Sequence, residues 1–249
     1  MTALDDLSDI PFHEADETRR ARILSRLADT ELFVALVAEP VGDEAEIRIF
    51  DLDGQHAALA CDGLDRLADF FGAAVAYASM PGRVLSQMLT AEGRHLLVNP
   101  GQVSQMLLDP EALGWLGQSL DVKPEEGGTL RPSWMSAPRP DAVEGLAPAI
   151  AERLANMHGL ARSASLVEAV WPDGRRGHLL LLQGTDEARR PLIAKAFAEL
   201  FTFLPEIDGG VDVGFSDAGL PEGAVQFDIP EPVPVAKPVR DPNAPPILR

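Results

Sequence analysis

Apolar positions recur along this chain with two periods, three to four residues in some stretches and two or fewer in others, and the switches between them predict its elements. Ile23, Leu24 and Leu27 form the inner edge of a helix over Glu17–Ala28, with Asp16 placed to cap it. Glu31–Ala38 and Ile47–Leu52 are apolar and β-branched enough for strands, joined by a polar turn at Gly42-Asp43-Glu44. Gln55–Cys61 continues them into an antiparallel meander, followed by a helix over Leu64–Phe71 and a strand over Ala73–Ala78. The organising stretch is Met80–Leu120. Pro81 and Gly82 open a helix in which Val84, Leu85, Met88 and Leu89 are expected to share one buried face, and Gly93 stops it. A short strand, His95–Val98, runs into Asn99-Pro100-Gly101, residues that accept backbone angles most others avoid. Val103–Leu108 returns as the second arm of a tight hairpin, and Asp109-Pro110 supplies the cap and first residue of a further helix.

Between Asp121 and Asp141 the periodicity lapses into Pro and Gly. That predicts a linker, or an extended segment pinned by Trp134 and Met135. Beyond it Val143, Leu146, Ile150, Leu154 and Met157 mark an amphipathic helix ended by Gly159. Ala161–Val170 and His178–Gln183 read as strands around the hairpin signal Asp173-Gly174. Asp186–Phe203 is a helix, and Val211–Phe215 and Val225–Phe227 are short strands. Residues 1–16 read as a loosely held tail, and 229–249, dense in proline, as a solvated or docking tail. The expectation is an α+β (mixed α/β) fold of two related modules, 17–120 and 143–228, joined by 121–142, each a small mixed sheet flanked by helices.

The Gly-Arg helix with apolar Leu and Met, the strand ending in Asn99-Pro100-Gly101, and the Asp-Pro-Glu helix start together resemble the N-terminal domain of the SseB family, named for enhanced serine sensitivity. The upstream Asp65–Tyr77 segment, containing LADFFGAAVAY, occupies the place of that family's preceding helix and strand. One departure is Ala60-Cys61-Asp62-Gly63, where the family has a Phe-Thr-Ser-like start to the helix. The region after Gly159 is similar to the family's C-terminal domain, so the resemblance covers most of residues 30–228. It implies a soluble bacterial protein without an assigned reaction and carries over no catalytic residues.

Charge narrows the partners. Lys and Arg total 21 against 39 Asp and Glu, a formal net charge of −18, which repels nucleic-acid phosphates and anionic lipid surfaces. The single cysteine, Cys61, excludes an intramolecular disulfide and suits a reducing compartment. Met1–Glu17 lacks the basic start and apolar centre of a signal peptide, and no run approaches the roughly 20 apolar residues of a membrane span. A cytoplasmic location is expected.

Candidate chemistry is sparse. Ile49-Phe50-Asp51-Leu52-Asp53-Gly54 resembles the first motif of haloacid-dehalogenase phosphatases, in which the first Asp is nucleophile and the second acid and base beside magnesium. Gln55 stands where Thr or Val is expected, no downstream lysine or second acidic motif completes the set, and Asp-Gly between apolar strands is also a hairpin turn. Cys61 lies in an apolar run and reads as core. His13, His56, His95, His158 and His178 show no metal spacing, so neither metal nor cofactor is expected. Gly127-Gly128 and Gly209-Gly210 lack the strand-turn-helix setting of a phosphate loop. The basic stretch Arg19, Arg20, Arg22 and Arg26 reads as a solvated face or as a dock for an acidic segment. Arg83, Arg94, His95 and Asn99 flank the organising helix and hairpin and are the candidate ligand- or partner-binding residues, suited to an anion or carboxylate. The leading expectation is a non-enzymatic regulatory or interaction protein with an unknown protein partner. The alternatives are a metal-dependent phosphatase through Asp51 and Asp53, and a small-molecule sensor, for an amino acid in view of the family's name.

Overall fold

A computed structural model describes residues 1–40, 42, 45–122, 131–217 and 219–229. The Gly127-Gly128 pair, Asp43 and Glu44 of the expected turn and the proline-rich tail from Pro230 lie outside the described residues.

The first module contains α1 (Glu17–Asp29), β1 (Glu31–Ala35), β2 (Ile49–Leu52), β3 (Gln55–Cys61), α2 (Leu64–Phe71), β4 (Tyr77–Pro81), α3 (Gly82–Ala91), β5 (His95–Val98), β6 (Met106–Leu108) and α4 (Pro110–Leu120). Local capping explains several of these boundaries. The Asp16 carboxylate accepts the Arg19 amide at 2.8 Å, and that of Asp109 accepts the Ala112 amide at 2.7 Å ahead of Pro110. Gly72 closes α2 with a left-handed φ of 64°.

The sheet order is β4-β1-β3-β5-β6; the three strands of the expected meander pair antiparallel, but β1 also lies directly on β3, and β3 runs parallel to β5, with Ala57 opposite His95. β2 and β1 share one edge of β3, Ile49 facing Ala58 and Phe33 facing Cys61. A parallel neighbour on one side and two antiparallel ones on the other make β3 central, so its apolar run is buried on both faces. Ala58 and Ala60 pack with α1, α3 and α4, while Leu59 and Cys61 meet Leu67 of α2. β4 begins later than the expected Ala73–Ala78 strand and ends at Pro81, which an edge strand tolerates.

On α3 the buried positions are Gly82, Leu85, Ser86 and Leu89. Val84 and Met88, expected on the same face, are instead 40% and 44% exposed. The helical stripe i, i+3, i+4, i+7 accommodates one of the two apolar pairs, and Gly82 decides which. A Cβ there would stand 2.1 Å from the Leu27 carbonyl oxygen, so α3 crosses α1 at backbone contact. The expected tight hairpin is a wider one, since β5 and β6 pair from Val98–Met106 to Leu96–Leu108 and Val103 lies exposed in the loop.

The N-terminal residues, expected as a loose tail, are packed. Leu4 is 1% exposed within the first module's core, and Asp5 is buried beside it.

The second module contains β7 (Trp134–Ser136), α5 (Pro140–Ala155), β8 (Ser163–Val170), β9 (Arg176–Gln183), α6 (Arg190–Thr202), β10 (Val211–Phe215) and β11 (Val225–Asp228). Its sheet runs β10-β9-β8-β11, with β7 also on β8, Trp134 opposite Val170. Residues 134–136 and 140–142, read as linker, therefore belong to ordered elements of this module, pinned by Met135 against Val167 and Trp171. α5 ends at Ala155 with Asn156 as its cap, ahead of Gly159. Both modules pass from an antiparallel hairpin (β2–β3, β8–β9) into a parallel crossover (β3 to β5, β9 to β10). α5 and α6 cover one face of the second sheet through Leu146, Ile150, Leu154 and Phe197.

Candidate functional site

The four residues singled out from sequence do not converge on one site. Asn99 is fully buried with φ 48°. Its carbonyl oxygen accepts the Asp62 amide at 2.9 Å, and its amide nitrogen donates to Ser104 Oγ at 2.9 Å. The Ser104 hydroxyl donates to Asp5 Oδ1 at 2.6 Å. Arg66 closes the network by donating to Asp5 and Asp62, the latter at 3.0 Å, while the Thr2 hydroxyl donates to Asp62 Oδ2 at 2.6 Å. The Arg66 guanidinium, helped by Ser104 and Thr2, holds the Asp5 carboxyl well below the usual carboxylate range against the opposing effect of burial. Asn99 thus clamps the N-terminal residues onto the end of β3 and the start of α2. The Asp62–Arg66 spacing of four on a helix start was a readable signal for part of this network; Asp5, 61 positions from Arg66, left none.

Arg83 lies where the modules meet. Its guanidinium pairs with Asp29 of α1 and donates to Glu199 Oε2 of α6 at 3.1 Å. Arg153 of α5 also pairs with Asp29, and Arg26 Nη1 lies 3.5 Å from Glu152. Trp115 of α4 packs edge-on against Phe203, their centroids 5.6 Å apart. Beside these pairs a cleft of about 560 Å³ opens between α1 and the α5–α6 pair, with Arg22, Arg26, Asp29, Glu152, Arg153 and Phe203 in its wall.

Arg94 and His95 lie at the other end of α3. Arg94 Nε is buried, 3.9 Å from Glu92, and its backbone amide donates to the Leu89 carbonyl at 2.9 Å. His95 Nδ1 is buried without a hydrogen-bond partner among the described residues. Arg94 borders a second concavity of about 560 Å³, walled by Val37, Ile47, Ile49, Met88 and Glu92. Val37 and Met88 are both prominently exposed; for Met88 the signal was the second apolar pair on α3, with Val84, that the core had no room for, and Val37 left none.

Asp51 and Asp53 form a turn. Leu52 pairs with Gln55, Asp53 and Gly54 have φ of 54° and 87°, and the Asp51 carboxylate accepts the Gly54 amide at 2.6 Å. Cys61 is core, its thiol pushed up to about 11 by burial and then by Asp62. Among the described residues no group of three His, Cys, Asp or Glu side chains is placed to hold a metal ion. No described helix is long and apolar enough to cross a membrane.

The first module, then, is a six-stranded mixed sheet with three helices on one face and one on the other, clamped through an Asn-Pro-Gly turn. Residues 11–115 match the SseB protein N-terminal domain, so the first module is similar to that domain. No curated protein and no solved structure matches the chain significantly.

Proposed function

We propose that this is a non-enzymatic, cytoplasmic regulatory or protein-interaction protein of the SseB-like type, and that a protein partner docks in the concavity between α3 and the β1–β2 connection. The single observation that carries this reading is the exposed apolar pair Val37 and Met88 beside Ile47 and Ile49, rimmed by Glu46, Glu92 and Arg94, on the module similar to the SseB N-terminal domain. An apolar centre with a charged rim suits protein recognition. A net charge of −18 favours a partner with a basic surface over nucleic acid or membrane. The phosphatase reading draws no support from Asp51, whose carboxylate is engaged in its own turn. The likeness of the second module to the family's C-terminal domain belongs to this proposal as well.

The test is affinity capture with the intact chain, followed by mass spectrometry and repeated with Met88→Glu. The expected result is a partner retained by the wild type and lost from a variant whose melting temperature is unchanged. Capture of the same partners by Met88→Glu would refute this surface.

A second reading, a small-molecule sensor, is favoured by the inter-module cleft.

A further inference from the structure

We propose that the cleft between the modules binds a small organic carboxylate with an apolar body, held by the guanidinium groups of Arg22 and Arg26. The inference shares no residue with the docking concavity and stands independently of it.

The arginines of the basic stretch of α1 have different fates. Arg19 pairs with Asp9 and takes no part in the cleft wall. Arg22 lines the cleft, half-buried, with no hydrogen bond or ion pair among the described residues. Arg26 also lines it; its contact with Glu152 is a long 3.5 Å, and its Nε–H is buried without an acceptor. The Nε–H is sealed from the cleft, so an anion there meets the accessible remainder of the Arg26 side chain, 26% exposed, together with the unbonded Arg22 guanidinium. Two acids of the same wall are already engaged, Asp29 by Arg83 and Arg153 and Asp62 by Arg66 and Thr2, while Glu152 makes only the long contact with Arg26. Glu31 remains, and it is exposed. The unspent hydrogen-bonding capacity of the cleft is therefore donor capacity, carried by guanidinium forks that match a carboxylate.

The neighbouring wall restricts the rest of the ligand. Met157, Leu200, Phe203 and Leu204 supply apolar surface, and about 560 Å³ lies within the range of small-molecule sites. Four carboxylates in or beside the wall disfavour a multiply charged anion such as phosphate, which leaves a monoanion with an apolar body. Because Arg22 and Arg26 belong to α1 while Met157, Leu200 and Leu204 belong to the second module, the ligand ties the modules together. Occupancy then raises thermal stability by mass action.

The experiment is isothermal titration and thermal melting of the full chain with hexanoate at constant ionic strength, with hexanamide and inorganic phosphate as comparisons. Saturable hexanoate binding with a rise in melting temperature is expected, and neither comparison compound should reproduce it. Arg22→Gln and Arg26→Gln should each weaken hexanoate about tenfold or more, as loss of a charge-assisted bond does, while Arg19→Gln should leave it unchanged. Arg22→Gln is decisive if Arg26→Gln loosens the module contact, because Arg22 makes no bond that the fold would miss. Absence of saturable hexanoate binding overturns the proposal, as does equal binding by Arg22→Gln or tighter binding of phosphate. Partner capture through Met88 is a separate readout, so either reading can fail alone.

Discussion

Asn99 and Gly101 illustrate how far local chemistry reaches. Gly101 has φ 78°, and a Cβ built there meets no atom within 4 Å, so a substitution suffers only from the backbone. Gly101→Val should lower stability by about 1–2 kcal/mol, the cost of holding an L-residue in the left-handed region, with a β-branched chain at the upper end. A shift of the urea midpoint measures it, and an unchanged midpoint would show that the turn relaxes freely. That this stretch turns was legible, because Asn, Pro and Gly carry their angular preferences with them. What Asn99 binds was not: Asp62 lies 37 positions away and Ser104 on the far side of the loop, and neither spacing has a periodic signature. The same limit separated Leu85 from Val84, since two apolar pairs offset by one residue satisfy the helical period equally until a neighbouring helix chooses between them.

The crossing of α1 and α3 makes that choice. Gly82→Ala would push a methyl into the Leu27 carbonyl, backbone rather than a yielding side chain, and the two helices would have to separate. A loss of about 1–3 kcal/mol is expected, the usual cost of overpacking, read as a lower melting temperature. In the second module, β9 places His178 fully buried, with neither ring nitrogen hydrogen-bonded among the described residues. Burial, with a smaller contribution from Arg139, lowers its pKa, while Glu168 and Asp141 pull weakly the other way. The folded chain therefore binds a proton at His178 less readily than the unfolded chain does. Its contribution is complete above the ordinary histidine value of about 6.5 and is lost as pH falls through the lower folded value. Urea titrations of wild type and His178→Phe between neutral pH and pH 5 should show the wild type losing stability more steeply; parallel slopes would remove the histidine from the explanation. The strand carrying His178 was predicted from its apolar run, whereas the approach of Arg139 and Asp141 to it depends on the fold of the whole module.

Two modules were evident in the sequence because a Pro- and Gly-rich stretch interrupts the periodic segments. Their mutual dependence was not, because no local pattern marks a residue that leaves one core for another. Phe203 follows α6 in the second module, yet it is 2% exposed within the first module's core, against Trp115. With Arg83 spanning from α3 to Glu199, this makes the two sheets a single cooperative unit, expected to melt in one transition. Phe203→Ala should cost about 3–5 kcal/mol, typical of a buried aromatic truncated to a cavity. Hydrogen exchange should quicken in α1 and α4 as well as in α6; quickening confined to α6 would show that the modules are energetically separate. During synthesis the first module leaves the ribosome with a notch where that ring belongs, and it closes only after α6 has followed. For that interval the nascent chain exposes the apolar surface that chaperones engage and that drives misassembly.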